Sequence, residues 1–160
     1  MVDPAVWLQQ FQNMNLSVMR LTGRLLPAMK EQGWGRIIVS TSSGVVTPID
    51  NLAVSNSLRL ALVGWSKTLA REVASAGVTV NVVAPGRIAT RRTRFLDQMK
   101  AQREQRSVDD VETESLSRIP LGRFGRPEEY ADVVAFLASD RSSYVTGSVL
   151  RVDGGMIASI

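Results

Sequence analysis

Arg-Ile-Ile-Val-Ser-Thr, at residues 36–41, is a short β-branched and apolar run of the kind that forms a strand buried on both faces of a sheet. A second run, Val-Thr-Val-Asn-Val-Val-Ala at 78–84, has the same character and stops at a Pro-Gly pair. A third, at 148–152, ends before an Asp-Gly-Gly turn. These runs predict three β-strands.

Helical segments separate the predicted strands. Over residues 3–33 apolar side chains recur at spacings of three and four after an Asp-Pro start, and we expect Pro27 to kink or fray the last turn. A second helix is predicted at about 55–76, and a third begins at Pro127. The polar stretch 87–126 predicts short helices in a mobile excursion. Strands joined by helices indicate an α/β fold with a parallel sheet and right-handed crossovers.

Composition excludes several classes of function. The 160 residues are 44% hydrophobic and 21% charged, as in one globular domain. The absence of cysteine and histidine excludes disulfide scaffolds, thiolate nucleophiles, Ser-His-Asp hydrolases and imidazole metal sites. We expect a cytoplasmic protein, because no apolar run approaches the roughly 20 residues of a membrane helix and no signal peptide opens the chain. A net charge of +4 is too small to indicate nucleic-acid binding.

Four blocks of sequence resemble the short-chain dehydrogenase/reductase family in their order and spacing. The blocks are Gly35–Gly44, Val78–Gly86, Gly122–Glu129, and Val145-Thr146-Gly147 leading to Val152–Gly155. The resemblance implies a doubly wound, Rossmann-like parallel sheet, of which residues 1–160 form a single domain corresponding to the C-terminal portion. It also implies that the excursion, about 87–126, is the substrate loop.

Hydride transfer between a nicotinamide and a small carbonyl or alcohol substrate is the chemistry that this resemblance implies. Ser42 matches the serine that holds the substrate oxygen, and Asn15 matches an asparagine of the proton relay. The family's tyrosine and lysine positions, thirteen and seventeen residues after that serine, hold Ser55 and Arg59 instead. An alkyl hydroxyl is a much weaker acid than a phenol of pKa about 10. We therefore expect the set Ser42, Ser55, Arg59 and Asn15 to support weak turnover or none.

The resemblance also implies an NAD or NADP site at the turn after the second strand. The residues expected at the nicotinamide end are Pro85, Gly86, Ile88, Thr90 and Arg59. The glycine-rich turn that seats a pyrophosphate on a helix N-terminus is not found, because residues 1–34 contain only two glycines and neither lies in such a pattern. The residue that distinguishes NAD from NADP is therefore not identified.

Each candidate residue also has a structural interpretation. Ser42 would end a strand, Asn15 would bond locally within its helix, Ser55 would cap a helix, and Arg59 would be a solvated helix cation. A basic cluster in the excursion predicts either a solvated surface or attraction of an anionic substrate or carrier. Its members are Arg87, Arg91, Arg92, Arg94, Lys100, Arg103 and Arg106, with Asp109, Asp110, Glu112 and Glu114 near enough in sequence to pair with them.

Two functions remain open from the sequence. The first is an NAD(P)-linked oxidoreductase of the family, weak or inactive as this chain. The alternative is a non-catalytic relative that acts as an oligomerising or regulatory module. In both cases the apolar helix faces predict a homo-oligomer, dimer or tetramer, and neither requires a metal, a nucleic acid or a membrane.

Overall fold

The computed structural model describes residues 2–159, which form helices and three strands in alternation. The helices are α1 (Pro4–Phe11), α2 (Ser17–Glu31), α3 (Ala53–Val73), α4 (Arg91–Glu104), α5 (Val108–Ser117) and α6 (Pro127–Ala138); the strands are β1 (Gly35–Ser40), β2 (Val78–Pro85) and β3 (Val149–Val152). Within the described part of the chain, no helix combines the length and apolar character needed to cross a membrane.

The first helical segment is not one regular helix. Asp3 starts it as predicted, since its carboxylate accepts a hydrogen bond from the N–H of Ala5 at 2.8 Å. A π-helical turn, Gln12–Leu16, then separates α1 from α2. The predicted long helix is confirmed, because helical residues run without a break from Pro4 to Glu31, but periodicity did not reveal the π-turn within it. Pro27 lies inside α2, which continues to Glu31, so the last turn is not frayed.

The three strands form one parallel sheet in the order β1-β2-β3, which confirms the predicted α/β class. β1 pairs from Gly35 to Ser40 with Val78 to Val83 of β2. Every residue of β2 except its last is buried, as expected for the central strand. Both outer strands, β1 and β3, keep one edge unpaired within residues 2–159.

Helices cover both faces of the sheet. α3 packs against β2 through a core of Leu62, Leu69 and Val73 on Val39 and Val80. α6 packs on β1 and β2. The sheet therefore brings the carboxyl ends of β1 and β2 side by side, and ligand sites of open α/β sheets lie at such ends.

The excursion is ordered into α4 and α5, which an ion-pair network joins. Glu114 of α5 accepts hydrogen bonds from Lys100 at 3.0 Å, Arg106 at 2.7 Å and Arg118 at 2.6 Å. These bonds, that of Arg106 foremost, lower the pKa of the Glu114 carboxyl to about 2. The predicted pairing of basic and acidic residues is thus confirmed at Glu114, and Lys100 and Arg106 are not simply solvated.

Candidate functional site

Ser42 lies immediately beyond the carboxyl end of β1. Its Oγ accepts a hydrogen bond from the N–H of Gly44 at 3.2 Å, which caps the short 3-10 turn Ser43–Val45. Because the hydroxyl acts there only as an acceptor, its proton remains available for another oxygen. Ser42 is half-buried. Its structural role as a cap and a role as a donor to substrate are therefore compatible.

Arg59 of α3 joins Ser55 to the same strand end. Its Nε donates to Ser55 Oγ at 3.3 Å, and its Nη1 donates to the carbonyl oxygen of Thr41 at 3.1 Å. Partial burial lowers the pKa of Arg59 below its ordinary value; nearby Arg92 lowers it further, and Tyr130 acts in the opposite direction. The interpretation of Arg59 as a solvated helix cation is wrong, because the guanidinium is half-buried and bonded to the residue before Ser42.

Ser55 does not cap its helix. α3 begins two residues earlier, at Ala53, and the residue at the cap position, Leu52, makes no side-chain hydrogen bond to the helix. Ser55 Oγ instead accepts the Nε–H of Arg59. The capping interpretation is wrong, and the structure brings together Ser55 and Arg59, the two residues predicted at the family's tyrosine and lysine positions.

Asn15 is 0% exposed and occupies the π-turn between α1 and α2. Its Nδ2 donates to the carbonyl oxygen of Leu58 at 2.9 Å, and Leu58 directly precedes Arg59. Its Oδ1 accepts no hydrogen bond from residues 2–159. The interpretation of a purely local bond is wrong, since the amide contacts α3 and holds the helix beside the arginine.

The residues predicted at the nicotinamide end gather where β2 ends. Gly86 follows Pro85 and donates its N–H to Val152 at 2.9 Å. A Cβ at Gly86 would lie 2.7 Å from Cα of Asp153. Packing against the turn after β3 therefore requires glycine here, independently of any cofactor.

Ile88 and Thr90 lie further along the same turn. Ile88 forms a parallel bridge with Gly125, and its carbonyl oxygen accepts the hydroxyl of Thr93 at 2.6 Å. Thr90 is exposed and caps α4 by accepting the N–H of Thr93 at 3.2 Å. Both residues are held by the start of α4, so α4 determines the shape of this turn.

An ion pair that the sequence argument missed fastens α4 to the turn. Asp97 is 4% exposed and accepts a hydrogen bond from Arg87, whose guanidinium also lies 5.0 Å from the ring centre of Phe124. Arg87 is therefore not part of a solvated surface. The sequence feature that could have indicated the pair is Asp97, an acid in the middle of the mostly basic α4 and ten residues after Arg87.

A tyrosine also reaches the end of β1 from α6. The hydroxyl of Tyr130 lies 2.6 Å from Oγ of Ser40, and Tyr130 is close enough to affect the pKa of Arg59. The position of Tyr130 in the sequence did not connect it with β1, because Tyr130 and Ser40 lie ninety positions apart. Among residues 2–159, no group of acidic side chains is arranged to hold a metal ion.

A sequence model of the family described as Enoyl-(Acyl carrier protein) reductase matches residues 1–157. The chain is 46% identical over 142 residues to a 3-oxoacyl-[acyl-carrier-protein] reductase, FabG, of Salmonella typhimurium, covering 88% of this chain and 53% of that one. This protein belongs to the short-chain dehydrogenase/reductase family.

Further relatives agree with this assignment. FabG of Haemophilus influenzae is 39% identical over 155 residues, which cover 96% of this chain and 59% of that protein. The solved structure of YwfH, an NADPH dependent reductase involved in bacilysin biosynthesis, matches with a TM-score of 0.93 at 30% identity and covers 99% of this chain and 61% of that one. L-sorbose reductase of Gluconobacter frateurii, complexed with NADPH and L-sorbose, matches with a TM-score of 0.91 and the same coverage. The chain spans about half the length of the curated relatives.

The relatives are NAD(P)-dependent, and the residues of this chain fit one end of that cofactor. Gly86 and Ser42 each follow the carboxyl end of one of two adjacent parallel strands, β2 and β1, which is where ligands of such sheets bind. Gly23 lies inside α2 and Gly33 precedes β1, so neither stands between a strand and the following helix, as the glycines of a pyrophosphate turn do. The residues predicted at the nicotinamide end and at the substrate oxygen lie within the described residues 2–159.

Proposed function

We propose that this chain is the substrate-side part of an NAD(P)-linked carbonyl reductase acting on a 3-oxoacyl thioester, the class named for its FabG relatives. The observation that carries the proposal is the pair of hydrogen bonds from Arg59 to Ser55 Oγ and to Thr41 O, one residue from Ser42. A chain of half the relatives' length needs further polypeptide for cofactor phosphate binding, so we expect no turnover from residues 1–160 alone.

Ser42, Ser55 and Arg59 would act directly on the carbonyl oxygen of the substrate. Ser42 donates its free proton to the substrate carbonyl while it accepts the N–H of Gly44. Ser55 donates a second hydrogen bond to the same carbonyl oxygen. The fixed positive charge of Arg59 stabilises the negative charge that develops on that oxygen and on Ser55 Oγ. Asn15 is a positioning residue, because it fixes the backbone at Leu58 and touches no reacting group.

Proton transfer to the substrate oxygen is the step that this arrangement supports least. A serine hydroxyl cannot act as the general acid that a tyrosine phenol provides, and an arginine does not release a proton at neutral pH. General acid catalysis typically contributes about 10²–10⁴-fold in rate, so we expect a loss of that order relative to a tyrosine-containing reductase.

The bound nicotinamide supplies the hydride in this chemistry. Gly86 and Ile88 would contact its ring end through the backbone, and Thr90 would contact it through its hydroxyl, which can accept the N–H of Thr93 at the same time. Arg59 would reach the ribose side from α3. The residues that hold the pyrophosphate must come from additional polypeptide.

A chimera tests the proposal. The segment of the Salmonella FabG relative that precedes the match is fused ahead of this chain, and NADPH binding and reduction of an acetoacetyl thioester are measured. We expect NADPH binding and slow turnover, which the double substitution Ser55→Tyr with Arg59→Lys raises by about 10²–10⁴-fold. Addition of Ser42→Ala to that variant should remove most of the gain. A chimera with both substitutions that binds NADPH and yet reduces nothing would refute the assignment.

The second candidate, a non-catalytic oligomerising or regulatory module, is favoured by apolar side chains left exposed on the helices. Leu8 is 66% exposed, Leu21 60% and Leu60 54%. Such residues on helix faces suggest self-association into a homodimer or tetramer in the cytoplasm, without nucleic acid. Light scattering of the 160-residue protein tests this; a stable monomer at high concentration would count against it.

A further inference from the structure

The turn Gly86–Thr90, which follows β2, is bonded to the segment that precedes α6. The N–H of Gly125 donates to the carbonyl oxygen of Arg87 at 2.9 Å, and the N–H of Ala89 donates to the carbonyl oxygen of Gly125 at 2.8 Å. These two bonds fix the backbone on both sides of Ile88. The side chain of Arg87 is left free to connect the turn with other elements.

Arg87 uses that side chain to bond a buried carboxylate of α4. Its Nη2 donates to Oδ1 of Asp97, and its guanidinium lies 5.0 Å from the ring centre of Phe124. Asp97 is buried, and within residues 2–159 Arg87 is the basic residue with which it forms an ion pair. Replacing a buried ion pair by apolar residues is often neutral or stabilising. The pair is therefore better explained by the geometry that it imposes than by stability alone.

α4 is attached to the turn through polar groups rather than through an apolar face. Of its fourteen residues only Asp97 and Ala101 are buried, and the apolar Phe95 is exposed. Thr93 and Asp97 lie one helical turn apart on the same face of α4, and both bond to the turn: the hydroxyl of Thr93 donates to the carbonyl oxygen of Ile88 at 2.6 Å. Hydrogen bonds are directional, whereas apolar burial is not. This face of α4 therefore fixes the orientation of the turn.

We propose that Asp97 is a positioning residue for the nicotinamide, acting through Arg87 to hold the turn between Gly86 and Ile88 in the shape that receives the ring end of the cofactor. This inference rests on the proposed function. Asp97 touches no reacting group, and the bonds of Arg59 to Ser55 and Thr41 do not involve the turn. Loss of the ion pair should therefore weaken cofactor binding and leave the chemical step nearly unchanged.

Hydrogen–deuterium exchange of the 160-residue protein, read residue by residue by NMR, tests the effect on the turn. Asp97→Ala removes the acceptor of Arg87, and Asp97→Ala with Arg87→Met removes both charges, so the double variant should fold without an unpaired buried charge. In both variants we expect the amides of Ala89 and Gly125 to exchange about tenfold faster or more, as loss of a hydrogen bond between charged groups implies. The amide of Thr41, which bonds β1 to β2, should exchange as in the wild type.

Glu114→Gln is the matched control, because it weakens the ion pairs between α4 and α5 without touching Arg87. It should leave exchange at Ala89 and Gly125 unchanged. Wild-type exchange rates at these two amides in the double variant would overturn the proposal. So would an equal acceleration at Thr41, because the pair would then stabilise the whole fold rather than the turn.

The chimera described above, with Ser55→Tyr and Arg59→Lys, tests the effect on the cofactor. Asp97→Ala in that protein should raise the KM for NADPH about tenfold and change kcat by less than about twofold, because one charged hydrogen bond is lost away from the reacting atoms. A fall in kcat with the KM for NADPH unchanged would contradict the proposal. A chimera that binds no NADPH would refute the proposed function, whereas the exchange rates of Ala89 and Gly125 decide separately whether Asp97 shapes the turn.

Discussion

Asn15→Asp should make the stability of this protein depend on pH in a way that isolates one buried hydrogen bond. The wild-type amide is 0% exposed and donates to the carbonyl of Leu58 at 2.9 Å. An ionised carboxylate of the same shape has no proton to donate and would place negative charge against that carbonyl oxygen. Burial and this contact would both raise the pKa of the new carboxyl.

The magnitude follows from linkage. Burial raises carboxyl pKa values by up to about 3–5 units, and each unit corresponds to about 1.4 kcal/mol. With a rise of about 2–3 units, the variant loses about 3–4 kcal/mol at pH 7 relative to wild type. Below about pH 3.9, the pKa of an aspartate in the unfolded chain, the carboxyl is protonated in both the folded and the unfolded state and can donate to Leu58. The difference in free energy of unfolding between the variant and the wild type is therefore smaller there. The penalty grows as pH rises through the raised folded pKa.

Urea denaturation followed by tryptophan fluorescence measures this difference at several pH values, always as variant against wild type. Asn13→Asp, on the exposed side of the same π-turn, is the matched control and should change stability little at any pH. A penalty at Asn15→Asp that is equal at pH 4 and pH 7 would refute the electrostatic argument. No penalty at pH 7 would refute the buried contact itself.

Two further predictions concern the edge of the site. Gly86→Ala places a Cβ 2.7 Å from Cα of Asp153 and should lower the free energy of unfolding by about 1–3 kcal/mol. Gly64→Ala is the control, because a Cβ there meets open space within α3, and it should leave stability unchanged or raise it. Thermal denaturation of the two variants and the wild type measures the difference. Glu129 has its carboxyl pKa lowered to about 2, first by Arg123, so its stabilising contribution is present above about pH 4.5 and is lost as pH falls toward 2. Glu129→Gln should therefore reduce the fall in the free energy of unfolding between about pH 4.5 and pH 2. An unchanged pH dependence in this range would contradict the ion pair.

Much of the architecture was predictable because it depends on local pattern. The apolar runs at 36–41 and 78–84 are strands as predicted, and the helices between them make the strands parallel. The run at 78–84 is buried on both faces, whereas β1 is fully buried only at alternate residues, so burial of β1 on both faces was a wrong prediction. The four motif blocks likewise identified the family before any contact was known. What periodicity could not reveal was the π-turn at Gln12–Leu16, since one inserted residue leaves the apolar face nearly unchanged.

Chain positions of the site residues followed from the sequence, but their partners did not. Spacing placed Ser55 and Arg59 one helical turn apart, and their hydrogen bond is a consequence of that spacing. The bond from Arg59 to Thr41 joins residues eighteen positions apart, and that from Asn15 to Leu58 joins residues forty-three apart. Such contacts exist only after α3 packs on the sheet.

The sequence by itself determined the fold class and the family, because each is a matter of residue type at a fixed spacing. Only the tertiary structure decided that Arg59 is half-buried at the end of β1, and that Asp97 anchors the start of the excursion to Arg87. Within residues 2–159 it also left one edge of β1 unpaired. Burial, ion pairing and an open edge are properties of surfaces brought together by packing, and no local pattern of residues encodes them.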